Sequence, residues 1–313
     1  MATYTTLDSS TVENLLEHYD IGELQRHTPL VGGKANSSSV ITTERGQFVL
    51  SVCDEKNSNE IGSLTAILEY LHEHDFPTTR IVRTKSARPF IKYEGKPVYL
   101  KEYIEGAVKE VLTPSMIFQV GSCLARLHNI PPHGDLLGFF SYGVESFKEV
   151  VDIEPPNEFS TWLRSRTGAI EQGCEDDLPR GFIHGDLFSD NMLFSGDNLV
   201  AILDFEEGCN YFLLFDLGMC AAGCCTVDGH FSKDLAAALI SGYQSLRKLT
   251  PLEQQLFQLH IEYGAVATSF WRYRQYNLRY QEVGHADLYK EMLELAEQVR
   301  GIPRDTFFRN IFR

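Results

Sequence analysis

Several things are scarce in this chain, and each scarcity excludes a class of function. No apolar run reaches the ~20 residues of a membrane helix, so no membrane role is read. The opening residues, MATYTTLDSS, carry no basic stretch leading into an apolar one. No export signal is read there, and a cytoplasmic location is expected. Positive charge is short: 28 Lys+Arg against 43 Asp+Glu give a formal charge of −15. Without a basic cluster a nucleic-acid interface is excluded, whereas an acidic surface suits a cationic or zwitterionic small molecule. Paired cysteines are missing too. Cys53, Cys123, Cys174, Cys209, Cys220, Cys224 and Cys225 are odd in number and irregular in spacing, with no CxxC. Reduced, buried thiols fit that pattern better than disulfides. Cys220, Cys224, Cys225 and His230 come nearest to a metal set, but GMCAAGCC reads instead as a helix of small residues. There is no internal repeat and no low-complexity tail.

What is present is an ordinary globular composition, 43% hydrophobic and 12% aromatic over 313 residues, long enough for two domains. One stretch, 182–218, holds polar residues at intervals that chemistry uses. His184-Gly185-Asp186 opens it, Asn191 follows Asp186 by five positions, and Asp204 follows Asn191 by thirteen. Between them Met192-Leu193-Phe194 and Leu199 to Leu203 read as short strands, joined at Gly196-Asp197-Asn198 by a tight turn. Any one of these polar residues alone reads as a turn or cap. The ordered set fits phosphoryl transfer, which needs a carboxylate for the attacking hydroxyl and an Asn and a second carboxylate for Mg²⁺ on nucleotide phosphates.

The lines HGDLFSDN and DFE share the Asp-to-Asn interval of the protein-kinase motif H-R-D-x-x-x-x-N, with Gly185 where that motif has arginine. In this the chain resembles the aminoglycoside phosphotransferase and choline kinase superfamily, which phosphorylates small molecules. The resemblance implies an α+β, two-lobed, protein-kinase-like fold. A small N-terminal antiparallel sheet lobe would span residues 1–104 and a larger, mainly helical C-terminal lobe 105–313. It also implies Asp186, Asn191 and Asp204 as catalytic residues, the last two as metal ligands, with ATP and Mg²⁺ as cofactors.

The rest of the chain is read around that expectation. A short amphipathic helix over 7–20 takes Thr11 as its cap. Strands are read at 27–31, 38–43 and 47–53. The turn GGKANSSS is a plain hairpin turn or a cover for phosphates, with Lys34 in reach of one. Ser51, in FVLSV, occupies the place where a kinase lobe carries a lysine. A helix over 58–74 has Glu60 in its first turn, read as compensating the helix dipole. Strands at 80–84, 89–94 and 97–103 lead to a hinge where backbone near Glu102 and Ile104 would read adenine. Beyond it, Thr113-Pro114 caps a helix carrying His128, read as a packed residue. Later helices are read at 158–171, 216–225, 232–247, 251–280 and 286–300.

After Asp204 come Glu206, Glu207, Asn210 and Tyr211. Acids there suit an ammonium group, or are solvated loop residues. In SFWRYRQYN, Trp271, Arg274 and Leu278 share one helical face at i, i+3 and i+7. Arg274 there would bind a carboxylate or pair with a surface acid, and Trp271 would wall a substrate or pack in the core. An acid on one side and an arginine on the other define an amino-acid-like substrate bearing a hydroxyl. The lines LPRGFIHGDLFSDNMLF, AILDFEEGCNYFLLFDLG, AALISGYQSLRKLTPLE and FWRYRQY are similar to those of the bacterial type II homoserine kinases. That resemblance implies ATP-dependent phosphorylation of the homoserine hydroxyl. Two other readings stay open. One is a choline, ethanolamine or aminoglycoside kinase, with Tyr211, Trp271 and Tyr273 available for an aromatic cage. The other is a nucleotide-binding module without catalysis, suggested by Ser51.

Overall fold

A computed structural model describes residues 5–30, 36–134, 136–153, 155–174, 177–281 and 283–312. The chain forms two compact units. The first runs to Gly106 and includes Val200–Leu203; the second comprises Ala107–Leu199 and Asp204–Arg313.

The first unit is an antiparallel sheet with two helices. Its strands are β1 (Leu24–Pro29), β2 (Asn36–Thr43), β3 (Gly46–Cys53), β4 (Ile81–Val82), β5 (Ile91–Tyr93) and β6 (Lys96–Glu102), in the order β1-β2-β3-β6-β4 with β5 also on β6. Strand alternation decides what each residue meets. Leu50 and Val52 of β3, with Ile41, Val98 and Leu100, bury one face against Val12, Leu15 and Leu16 of helix α1 (Ser9–Leu16). Ser51, between Leu50 and Val52, points to the other face, opposite Ser38 and Tyr99. Helix α1 starts one turn earlier than its sequence suggests. The Asp8 side chain accepts the Thr11 backbone N–H at 2.7 Å, so Asp8 is the cap and Thr11 lies inside the helix. Helix α2 (Ser58–Glu73) starts with a capping box in which Glu60 Oε2 accepts the Asn57 N–H at 2.8 Å.

The second unit is mainly helical. In chain order it contains α3 (Pro114–His128), α4 (Lys148–Val151), α5 (Glu158–Gly173), β7 (Arg180–Ile183), β8 (Met192–Ser195), the start of β9 (Asn198–Ile202, whose end from Val200 belongs to the first unit), β10 (Cys209–Phe212) and α6 (Leu213–Cys224). A small ribbon, β11 (Thr226–Val227) with β12 (His230–Phe231), precedes α7 (Lys233–Gln244), α8 (Pro251–Tyr273), α9 (Tyr289–Gly301) and α10 (Arg304–Ile311). Strands β8 and β9 pair as the predicted hairpin. Helix α6 has no polar stripe because it is buried on all sides. It lies close to α8 through glycines: a Cβ on Gly264 would stand 2.7 Å from Met219 Cα, and one on Gly218 would clash with the His260 carbonyl. The seven cysteines are free thiols. Among the described residues no group of three or more His, Cys, Asp or Glu side chains could hold a metal ion, and no helix is long and apolar enough to cross a membrane.

Two helix readings need correction. Helix α8 is α-helical to Tyr273 and then widens into a π-helical turn over Arg274–Arg279, closed by Tyr280 N–H on Gln275 O at 3.0 Å. The extra residue in the turn breaks the i, i+7 register, so Leu278 lies exposed while Arg274 is buried. Helix α10, with Phe307 and Ile311 buried, lies beyond the last helix read from the sequence.

Candidate active site

The site is built on a two-stranded antiparallel ribbon, β7 on β10, with Ile183 opposite Cys209. That register sets the turn leaving β7, His184-Gly185-Asp186, beside the turn entering β10, Asp204 to Gly208. Gly185 has φ +83°, and a Cβ there would stand 2.9 Å from the Glu207 carbonyl and 3.0 Å from Phe140 Cε2. Glycine is thus required twice, by backbone conformation and by space. Beneath the turn lies Asp216, fully buried in α6. Its carboxylate accepts the backbone N–H of His184 and of Gly185, each at 2.8 Å, and His128 Nε2 at 3.0 Å. Burial pulls this carboxyl upward, but the hydrogen bonds from His128 and from the His184 backbone outweigh it and hold it below the usual range. Burial keeps the His128 ring neutral, with Nδ1 on the Tyr243 hydroxyl at 2.7 Å. His128 is therefore a packed brace, as the sequence suggests. Asp216 went unnoticed there. Its signal was a single charge in the apolar run LLFDLGMCAA, which has to be paired inside the protein.

Asp186 is half-buried beside three other acids. Burial first, then Asp204, Glu207 and Asp190, push its carboxyl up to about 7, while a hydrogen bond with Tyr142 works the other way. Asn191 ends a 3₁₀ turn (Ser189–Asn191) and donates from Nδ2 to the Asp186 carbonyl at 2.8 Å. Its Oδ1 is thereby the atom left to ligate a cation. Asp204 is exposed and has φ +64°, a left-handed conformation that Asp tolerates better than most residues. Its neighbour Phe205 is buried against His184, ring centroids 4.7 Å apart, which anchors the turn. Asn191 and Asp204 offer hard oxygen donors, two in number. That set fits a Mg²⁺ that keeps waters and takes phosphate oxygens for its other positions.

Of the residues assigned to the substrate, Glu207 and Arg274 both bear electrostatically on this centre. Glu207 raises Asp186 and attracts Arg274, and its Oε2 accepts the Ser141 hydroxyl at 2.5 Å. Glu206 contributes its backbone N–H to Asp204 Oδ1 at 3.4 Å. Trp271 is half-buried, its ring 6.4 Å from that of Tyr142. Arg274 is 7% exposed and lies over the Phe270 ring. Its Nη1 meets Glu149 at 3.2 Å, yet its buried Nε has no hydrogen-bond partner among the described residues. Burial and Arg279 lower its pKa. Arg272, by contrast, is a surface residue on Glu291 at 2.7 Å. The aromatic cage does not assemble. Tyr211 is sealed in the core with its hydroxyl on Glu145 and Tyr263, and Tyr273 stacks on Phe159 at 4.3 Å.

The nucleotide-binding residues belong to the first unit. Ser51 is 0% exposed, and its hydroxyl is 2.9 Å from that of Ser38. Its hydroxyl is thus held inside the sheet. A serine here satisfies its hydroxyl inside the sheet, whereas a lysine would have to extend out of it. Lys34 lies outside the described residues. Glu102 ends β6, its N–H on the Arg80 carbonyl at 2.9 Å and its carbonyl accepting the Thr79 hydroxyl at 3.1 Å; Ile104 follows in extended chain.

Comparison with known proteins agrees with this chemistry. The phosphotransferase enzyme family (APH) matches residues 26–249. A homoserine kinase of Gluconobacter oxydans (strain 621H) is 29% identical over 264 residues, 81% of this chain and 84% of that protein. Among solved structures, an amicoumacin kinase in complex with AMP-PNP, Ca²⁺ and Ami superposes with a TM-score of 0.73 at 13% identity, over 96% of this chain and 97% of that one. A microcompartment-associated aminopropanol kinase gives 0.71 at 18%, over 97% and 100%. The two-lobed, kinase-like architecture expected from the motifs is thus the fold of this chain, and with two-thirds of its length matched the chain belongs to the phosphotransferase enzyme family, as a kinase of small molecules.

Proposed function

We propose that this enzyme transfers the γ-phosphoryl group of ATP to the side-chain hydroxyl of homoserine. The observation that carries the substrate is the Arg274 Nε, a charged donor buried beside the acids of the site without a hydrogen-bond partner among the described residues. Such a group is costly to leave unpaired, and a carboxylate fits its fork. Glu207 offers the opposite charge to an ammonium group. Together they favour an α-amino acid over choline, which has no carboxylate, and the similarity to homoserine kinases supports the same acceptor.

In the reaction the alcohol oxygen forms a bond to the γ-phosphorus, the bond from that phosphorus to the bridging oxygen breaks, and ADP departs. Asp186 orients the acceptor hydroxyl and takes its proton as the new bond forms. Asn191 and Asp204 would hold Mg²⁺, and what that ion would supply is positive charge against the phosphate oxygens. Arg274 and Glu207 fix the two ends of the α-amino acid, so that rotation of a short chain no longer misdirects its hydroxyl. Lys34, by its place in the glycine-rich turn, is assigned to the phosphates.

The test is ADP release with ATP and Mg²⁺ in the presence of homoserine, choline, ethanolamine or an aminoglycoside. Homoserine should give the highest kcat/KM. Turnover of choline with none of homoserine would overturn the substrate and leave the phosphotransferase chemistry standing.

A further inference from the structure

Residues 137–142 start beside strand β10 and end against the turn that enters it. Leu137 bridges Cys209 in parallel register, and its carbonyl accepts the Asn210 N–H at 2.8 Å. Three residues on, the Phe140 ring packs 5.9 Å from the Tyr211 ring and 4.9 Å from the Phe215 ring. The next residue, Ser141, donates its hydroxyl to Glu207 Oε2 at 2.5 Å, within the range of a charge-assisted hydrogen bond. Both ends of that bond are anchored. Ser146 Oγ donates to the Ser141 carbonyl at 3.0 Å, and Gly143 N–H to the Phe140 carbonyl at 3.1 Å. On the other side Glu207 packs on Gly185, where an added Cβ would stand 2.9 Å from the Glu207 carbonyl and 3.4 Å from its Cβ.

We infer that Ser141 is a positioning residue for substrate selection: its hydroxyl fixes the Glu207 carboxylate beside the turn at Gly185 and so aims it at the ammonium group of an amino-acid substrate. The inference rests on Glu207 being the group that meets that ammonium. A glutamate carboxylate turns broadly about its terminal bond, and the Asp186 charge in the neighbouring turn repels it. A cation in place of Ser141 would also hold it, but would cancel the charge that attracts the ammonium. A neutral hydroxyl sets the carboxylate and leaves its charge in place. Loss of that hydroxyl should therefore be felt in the binding of ligands that carry an ammonium, and not in the chemical step.

Ser141→Ala removes the hydroxyl from a half-buried position. Its KM for homoserine should rise ~10-fold, the scale for a hydrogen bond to a charged group. Its kcat, its KM for ATP and its melting temperature should stay near wild type. 4-Hydroxybutyrate is homoserine without the ammonium, and its inhibition constant against homoserine should not move. The decisive measurement is the double-mutant cycle with Glu207→Ala, read in KM for homoserine. If Ser141 acts through Glu207, adding Ser141→Ala to Glu207→Ala costs nothing further. An unchanged KM in Ser141→Ala, an equal loss for 4-hydroxybutyrate, a loss confined to kcat, or losses that multiply in the cycle would each overturn the inference. Should Glu207→Ala itself keep the wild-type KM, or wild type turn over no homoserine, the proposed role of Glu207 falls, and this inference with it. A Glu207→Ala enzyme that loses homoserine binding beside a Ser141→Ala enzyme that keeps it would sink the inference alone.

Discussion

Asp186 and Asp204 lie in neighbouring turns, and their surroundings suit the different roles proposed for them. Asp186 is half-buried, and desolvation pushes its carboxyl upward; Asp204 is exposed, as a ligand of a hydrated ion would be. Asp204→Ala should lower kcat roughly 100-fold or more, the scale for removing charge stabilisation from a reacting group. Asn191→Ala should lower it less and raise the Mg²⁺ concentration needed for half-maximal rate. Wild-type turnover in either variant, at saturating ATP and Mg²⁺, would remove that residue from the site. Arg274→Ala should cost roughly 2–4 kcal/mol in kcat/KM for homoserine, as for a lost buried charge partner. The same change should cost far less for homoserinol, which has no carboxylate; an unchanged ratio of the two specificity constants would exclude Arg274 from substrate binding. At this scale the sequence was informative wherever spacing is local. The interval from Asp186 to Asn191 lies in one turn, and Gly185 stands where an arginine would need a left-handed backbone and a Cβ against the Glu207 carbonyl. Ser141 was not legible, since a serine in a loop looks like any other until the fold brings it to Glu207.

Helix α8 shows how an element carries several of these constraints. It has a capping box at Thr250 and Glu253, a glycine contact with α6, and at its far end the π-helical turn that buries Arg274. The helix itself was legible from its apolar spacing. The π-turn was not, because an inserted residue changes the register without altering composition. Ser51 poses a related case. Its place in the strand was correct, but which face is buried depends on what packs there. Glu262, midway along α8, offers a test of this element. Burial raises its carboxyl above the ordinary value, with Arg166 partly offsetting it, and Oε1, 3.7 Å from Arg166 Nη1, has no hydrogen-bond partner among the described residues. A carboxyl raised in the folded state gives stability that is fully present below its unfolded value of about 4.5 and is lost as pH rises through the folded one. Glu262→Gln is neutral throughout, so it should melt higher than wild type at neutral pH, by roughly 1 kcal/mol. The difference should close as the pH falls toward the unfolded value. An equal or lower melting temperature at neutral pH would mean that the Arg166 attraction outweighs burial.

Over the whole molecule the dominant feature is charge, 28 basic against 43 acidic residues for a net −15. A field of that sign acts on the two substrates differently. ATP, with or without a bound divalent ion, arrives as an anion and is repelled at long range; homoserine is a zwitterion and feels little net force. Salt shortens the reach of that field, to about 10 Å at about 0.1 M. Raising ionic strength from about 0.02 M to about 0.2 M should therefore raise kcat/KM for ATP while leaving that for homoserine nearly flat. The comparison separates the global field from the local site, because contacts made after arrival, such as the one assigned to Lys34, weaken with salt instead. If kcat/KM for ATP falls over that range, cations close to the phosphates govern nucleotide capture and the acidic surface is irrelevant to it. If kcat/KM for ATP falls in wild type but becomes flat in Lys34→Ala, that lysine is the cation responsible.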